Sequence, residues 1–269
     1  MLIETIHSQL GWAGLLGVFF IYSTILYLIG TNLSYYWYFK RKRQRLMPDY
    51  VPNPREKKQA IRLSLISIAG NCLLVLPLEL AIAHGYSQLY ASAATTNWAM
   101  ALMSVLGALL FAETAIYWIH RGLHAPWPYR HLHRYHHRFR MPTPFVSYAF
   151  HPLDNFLQAL PYHVYVFIVP MPEFAYLALL GAATVWTILI HDRVVWVRPG
   201  LINNSGCHTV HHWFFRYNYG NYFAIWDRLM GTYVDPVNLP EQFFAAKYTA
   251  ATQPNNERDS IAADASVNR

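Results

Sequence analysis

Four apolar stretches dominate the chain, and the polar breaks between them set its plan. Residues 11 to 39 are almost uninterruptedly apolar and aromatic, long enough to cross a hydrocarbon core of about 30 Å. A second stretch runs from about Ile61 to Tyr86, with Pro77 as an expected kink and Glu79 near its far end as an expected interfacial carboxylate, a functional role being its alternative. The third covers roughly Trp98 to Ile119 and delivers His120 at its end. From Asn155 to Ile190 lies a fourth region, broken by Pro161 and by Pro170-Met171-Pro172. Its halves are short for full spans, so the pattern predicts a helical hairpin, which a re-entrant path would also satisfy. A hairpin returns the chain to the side it left, and His191 with it.

The polar segments fall between these stretches. Residues 46 to 60 (LMPDYVPNPREKKQA) form a loop, and Ala93 to Asn97 a short link. Residues 120 to 151 are rich in His, Arg and Pro, and WFFRYNYGNYFAIWDRLMGTYVDP is amphipathic and suited to cover whatever lies there. Beyond about Pro236 the chain is polar and reads as disordered. The fold class expected is all-α: a multi-pass integral membrane helical bundle with a cytosolic histidine-rich cap. Residues 1–99 would supply membrane helices and a basic loop, 100–236 the catalytic domain, and 237–269 a tail.

Composition agrees. Charged residues make up 13% of the chain and hydrophobic ones 54%, whereas about a quarter of a soluble domain is charged. The net charge of +7 does not indicate nucleic acid, because nine of the 21 Lys and Arg residues lie between Lys40 and Arg62, beside the first apolar stretch. That clustering marks a cytoplasmic, lipid-facing end and leaves the N-terminus lumenal or periplasmic. No cleavable signal peptide is evident, since residues before Leu10 lack a basic region. Cys72 and Cys207 give no disulfide framework.

The chemistry lies in histidine. Of 14 histidines, 12 fall between positions 120 and 212. His120 and His124 are spaced i, i+4; His133, His136 and His137 are spaced i, i+3, i+4; and His208, His211 and His212 repeat the second pattern. On helices each group can aim its imidazoles at one point. Eight such ligands are too many for one ion and suit two, with iron first and other imidazole-binding metals behind it. Glu113, two helical turns before His120, is expected to accept an N–H from a ligand histidine, to deliver protons, or to make a structural contact. Asp154, Asp192 and Asp227 are the carboxylates nearest the histidines in sequence, suited to hold ligand N–H groups, with capping as the alternative for Asp154 and Asp227. A membrane metal carrier would string its ligands along a path near the midplane, whereas these gather on one side.

HRGLH, HRYHH and HTVHH, together with PTPFVSYAFHPLDNFLQALPYH and NYGNYFAIWDRLMGTY, resemble the fatty acid hydroxylase and sterol desaturase superfamily of membrane di-iron oxygenases, in its sterol C-5 desaturase branch. The resemblance covers roughly residues 100 to 236. It implies that His120, His124, His133, His136, His137, His208, His211 and His212 are iron ligands. His191 falls where the superfamily brings a further histidine, and His151 is a candidate with capping as its alternative; His131 and His163 rank lower. Asp192 joins Glu113 as a candidate catalytic residue. Arg193 and Asn155 stand where relatives usually have glycine.

The implied reaction uses two non-haem iron ions and dioxygen to introduce the C-5(6) double bond into a delta-7 sterol. The alternative is a hydroxylase acting on a fatty acyl, sterol methyl or carotenoid substrate. The chain carries no haem, flavin or nicotinamide motif, so an external electron donor is implied, a b-type cytochrome with an NAD(P)H reductase or a ferredoxin. The membrane would be the endoplasmic reticulum in a eukaryote or the cytoplasmic membrane in a bacterium.

Overall fold

The computed structural model describes residues 1–48, 50–91, 97–194 and 200–236. The polar tail and most of the link before Asn97 lie outside these described residues. The first apolar stretch forms α1 (Leu2–Ser34) and continues as a π-helix over Tyr35–Arg41 into the basic segment and the short α2 (Arg43–Leu46). It begins earlier than the hydrophobic pattern predicts, because Gly11 (φ 67°) lets the chain turn between a first segment and the main span. The second stretch forms α3 (Pro54–Ala83), opened by Asn53, whose side chain accepts the Glu56 amide, and by a proline in its first turn. Pro77 lies inside α3, which continues to Ala83.

Strand β1 (Leu89–Tyr90) leads towards α4 (Trp98–Leu123), capped by the Asn97 side chain. A compact run follows: α5 (Pro126–Pro128), a π-turn at Tyr129–His133, α6 (Arg134–His137) and a 3-10 turn at Pro144–Val146. The predicted hairpin is α7 (Pro152–Tyr165) and α8 (Glu173–Ile190), joined through β2 (Met171–Pro172). Pro161 does not break it. The helix runs on to Tyr165, packed against α3 and α4, and the break comes at the later proline pair. The hairpin also reaches across the bundle: β2 pairs in parallel with β1, which follows the end of α3. The chain closes with α9 (Ser205–Phe214) and α10 (Ile225–Leu229).

Helices α1, α3, α4 and α8 are each long and apolar enough to cross a membrane, the first together with its π-helical extension. Much of their apolar surface faces outward: Trp12, Ile29, Leu33, Leu73, Met103 and Leu110 are exposed. This is a multi-pass membrane helical bundle. Inside it α1 packs on α3 and α8, and α7 fills the space between α3 and α4. At the end remote from the histidines, the Glu173 carboxylate accepts the Leu2 and Ile3 amides at 2.6 and 3.0 Å, tying the start of α1 to the start of α8.

Candidate metal centre

The histidines reach one end of the bundle from four directions. His120 lies in the last turn of α4 and His124 just beyond it; His133, His136 and His137 sit on the π-turn and α6; His191 follows the last residue of α8; His208, His211 and His212 lie on α9. Nine imidazoles form two groups, His120, His124, His133, His137 and His211 in one, and His136, His191, His208 and His212 in the other. Within each group the donor atoms all lie within 4.8 Å of one another.

The spatial groups differ from the sequence groups. Each i, i+3, i+4 cluster was expected to aim at a single point, yet His136 leaves His133 and His137 for the second group, and His211 leaves His208 and His212 for the first. Helix geometry accounts for this. At about 100° per residue, i and i+4 lie about 40° apart, while i+3 and i+4 lie about 100° apart, so one cluster serves two neighbouring points.

Nε2 atoms face one another at short range. In the first group, His133 Nε2 lies 3.1 Å from that of His120 and 3.0 Å from that of His137, and His211 Nε2 lies 3.1 Å from His137 and 3.2 Å from His124. In the second, His191 Nε2 is 3.3 Å from His136 and 3.0 Å from His208, which is 3.1 Å from His212. Two nitrogens at right angles about one ion, each about 2.1 Å from it, are about 3.0 Å apart, so these donor sets fit metal ions. The first group holds five nitrogens, more than the four of a tetrahedral zinc site.

In four of the nine rings the other nitrogen fixes this arrangement. His120 Nδ1 donates to the Tyr219 carbonyl (2.8 Å), His211 Nδ1 to the Tyr217 carbonyl (2.8 Å), and His191 Nδ1 to the Thr187 carbonyl (2.6 Å). His133 Nδ1 donates to Asp154 Oδ2 at 2.8 Å, both side chains being fully buried, and Gln158 Nε2 donates to Asp154 Oδ1 at 2.7 Å. With Nδ1 carrying the proton, Nε2 is left as the free lone pair. Burial holds the imidazoles neutral. It pushes His124, His136, His137, His208, His211 and His212 below the usual histidine range, with neighbouring imidazoles adding to the effect. Burial lowers His191 to about 4, although its bond to the Thr187 carbonyl pulls the other way.

The remaining expected residues take other places. His151 belongs to neither group: its Nδ1 accepts the Leu153 amide at 3.2 Å, which makes it the N-cap of α7, the alternative role for this residue. His131 donates to the Trp127 carbonyl, and Cys207 is buried outside both groups. Glu113 takes the Tyr222 amide at 2.6 Å in place of a histidine N–H, because the loop after α9 folds over α4 and brings backbone donors to it. Asp192 is fully buried, and its Oδ1 accepts the Val194 amide. Asp227 gathers the Tyr219 and Gly220 amides and the Thr232 hydroxyl at 2.7 to 2.9 Å, which shapes the loop whose carbonyls receive His120 and His211. Arg193 has a positive φ (63°), which explains why glycine suits that position; its guanidinium lies over Phe39 and Tyr50. Asn155 donates to Ser67 across the α3–α7 contact.

A cavity of about 340 Å³ opens from this centre into the bundle. His120, His191 and His208 line one end, and Ile3, Glu79 and Leu177 the other. Lining positions recur along one face of α8 from Leu177 to His191, a length of about 21 Å at 1.5 Å per residue. Sequence reasoning missed Glu79 here. It was expected at the interface, but it is 2% exposed, bonded to Tyr176 and close to His163. Its spacing from Val75 and Leu76, one turn back on α3, was the available signal. Tyr219 lines the cavity, whereas Trp226 packs on Tyr117 and Trp118.

Residues 105–232 match the fatty acid hydroxylase family. The chain is 41% identical to rat lathosterol oxidase over 217 residues, covering 79% of this chain and 72% of the relative. It is 40% identical to the human lathosterol oxidase with the same coverage. A delta(7)-sterol 5(6)-desaturase of Aspergillus fumigatus is 39% identical over 222 residues, covering 81% of this chain and 62% of the relative. No solved structure is significantly similar to it. With these relatives and these histidines, the chain belongs to the fatty acid hydroxylase family of oxidoreductases.

Proposed function

We propose that the protein is a membrane-bound, two-iron, dioxygen-dependent sterol desaturase that introduces the C-5(6) double bond into a delta-7 sterol. The observation that carries this reading is the joining of two imidazole groups to a long apolar cavity within one bundle. Its length suits a sterol's fused rings and side chain, and the relatives named above are lathosterol oxidases and delta(7)-sterol 5(6)-desaturases. A five-nitrogen group supports iron over tetrahedral zinc.

His120, His124, His133, His137 and His211 would hold one iron, and His136, His191, His208 and His212 the other. Bound iron would supply the reductive activation of dioxygen that no side chain can perform on an unactivated C–H bond. The protein's part is to place and shield. The cavity walls orient the sterol so that C-5 and C-6 lie at the histidine end, and their apolar character excludes bulk water. Asp154 and the carbonyls of Tyr219, Tyr217 and Thr187 keep four imidazoles aimed. Overall, sterol, dioxygen, two electrons and two protons give the desaturated sterol and two waters. The electrons come from an external donor, a b-type cytochrome or a ferredoxin. It would dock on the histidine end, which carries Arg121, Arg130 and Arg134; the basic segment after α1 supports a cytosolic orientation for that end.

Expression in a strain lacking sterol C-5 desaturation tests the reading. The expected result is accumulation of delta-5,7 sterol and two irons per purified chain. Hydroxylated lipid without delta-5,7 sterol would instead establish a hydroxylase of the same family.

A further inference from the structure

A buried ionisable cluster at the far end of the cavity takes no part in the mechanism. Glu79 of α3, His163 of α7 and Tyr176 of α8 meet at the cavity end remote from the metal centre. The Tyr176 hydroxyl donates to Glu79 Oε1 at 2.8 Å, and His163 Nδ1 lies 2.6 Å from the Tyr176 oxygen and 2.9 Å from Glu79 Oε1. Glu79 is 2% exposed and His163 6%, and both line the cavity. A tie between the three helices uses only one carboxylate oxygen. The other, Oε2, is buried and has no hydrogen-bond partner among the described residues. A buried carboxylate oxygen without a donor is costly, and a cavity beside it is where a ligand donor would arrive. Leu76, Leu177 and Ile3 surround this end, so a single polar group on an otherwise apolar molecule is what the place can take.

We propose that Glu79 and His163 form a second polar subsite, which binds a hydroxyl group carried by the substrate at the end remote from the carbon that is oxidised. Tyr176 and His191 are 15 residues apart on and just beyond α8 (191 − 176), so the subsite lies about 22 Å from the metal centre. Resting on the sterol reading above, this span identifies the hydroxyl. A sterol oxidised at C-5 keeps its C-3 hydroxyl at the histidine end, because both carbons belong to the same ring. The group that reaches Glu79 is then at the end of the side chain, and the substrate class is a side-chain-hydroxylated delta-7 sterol.

The test compares a delta-7 sterol with its analogue bearing a hydroxyl at the end of the side chain, on the iron-loaded full-length protein in lipid nanodiscs. Equilibrium binding and product are both measured. A hydrogen bond from the added hydroxyl to Glu79 Oε2 should tighten binding about tenfold. Glu79→Leu should bring the two sterols within about twofold of each other while retaining the plain sterol. Glu79→Gln keeps an oxygen for Tyr176 and guards against a variant that fails to fold; it should lose most of the preference with normal iron content. Equal binding of both sterols by the unmodified protein would overturn the subsite, as would a preference that survives Glu79→Leu, or equal loss of both sterols in a folded variant. Preference without any desaturated product would overturn the reaction and leave the subsite standing. Equal binding of both sterols, with delta-5,7 product formed from each, would do the reverse.

Discussion

Replacing Asp154 is the most direct test of how the protein holds its first imidazole group. The carboxylate is fully buried and receives two donors, His133 Nδ1–H at 2.8 Å and Gln158 Nε2–H at 2.7 Å. Asp154→Leu leaves the buried His133 Nδ1–H without its acceptor, removes the partner of half-buried Gln158, and frees the His133 ring to rotate. Loss of such an outer partner typically weakens metal binding by about 10–100-fold, or about 1.4–2.7 kcal/mol. Asp154→Asn keeps an oxygen for His133 but sets its amide against that of Gln158, so it should fall near the lower bound. The measurement is chelator competition on purified protein in detergent, with cobalt(II) as a coloured probe. One of two binding phases should weaken, because the group of His136, His191, His208 and His212 makes no bond to Asp154. Glu113→Gln is the control: its carboxylate bonds the Tyr222 amide, so metal affinity should stay within about threefold of the unmodified protein. The reasoning fails if Asp154→Leu binds both metals as the unmodified protein does, or if Glu113→Gln weakens them equally.

Two further substitutions probe how architecture and metal binding are linked. His151→Ala removes the α7 cap and should cost about 1 kcal/mol in reversible unfolding, with both metals retained; loss of a metal would restore His151 as a ligand. Gly220→Ala would place a methyl group against the Phe223 carbonyl, 2.6 Å from Asn203 Nδ2 and 2.9 Å from Asp227 Oδ2. The loop must shift, at a cost of about 1–3 kcal/mol, and the Tyr219 carbonyl shifts with it; a lower melting temperature and weaker metal binding are expected together.

Much of this architecture was legible because a bilayer leaves few choices. The apolar stretches became α1, α3, α4 and α8, and hairpin parity brought His191 to its partners. Helix termini were less legible, as Gly11 shows: an apolar run does not reveal a positive φ inside it. The histidine spacing disclosed two ions' worth of ligands but not their division, since i, i+3 and i+4 do not specify which of two neighbouring points each ring serves. The partners of Glu113 and Glu79 were hidden for a different reason. Both depend on contacts far away in sequence, with Tyr222 in one case and with His163 and Tyr176 in the other.

Each end of the cavity holds a buried polar cluster of a different kind. At the histidine end, burial removes charge: nine imidazoles packed this closely could not all be protonated, and desolvation combined with mutual repulsion keeps those beyond the spans neutral. Where both Nδ1–H groups are bonded outward, as in His120 and His133, neutral rings present lone pairs to one another at 3.1 Å, an arrangement that a cation relieves. At the far end a carboxyl group sits in the bundle with one oxygen satisfied by Tyr176. A chain selected only for bundle stability would place apolar side chains at both positions, because removing a buried polar cluster in favour of good packing is seldom destabilising. That both clusters persist, and that one cavity touches both, is the physical reason to read them as the two fixed points between which a long lipid is held.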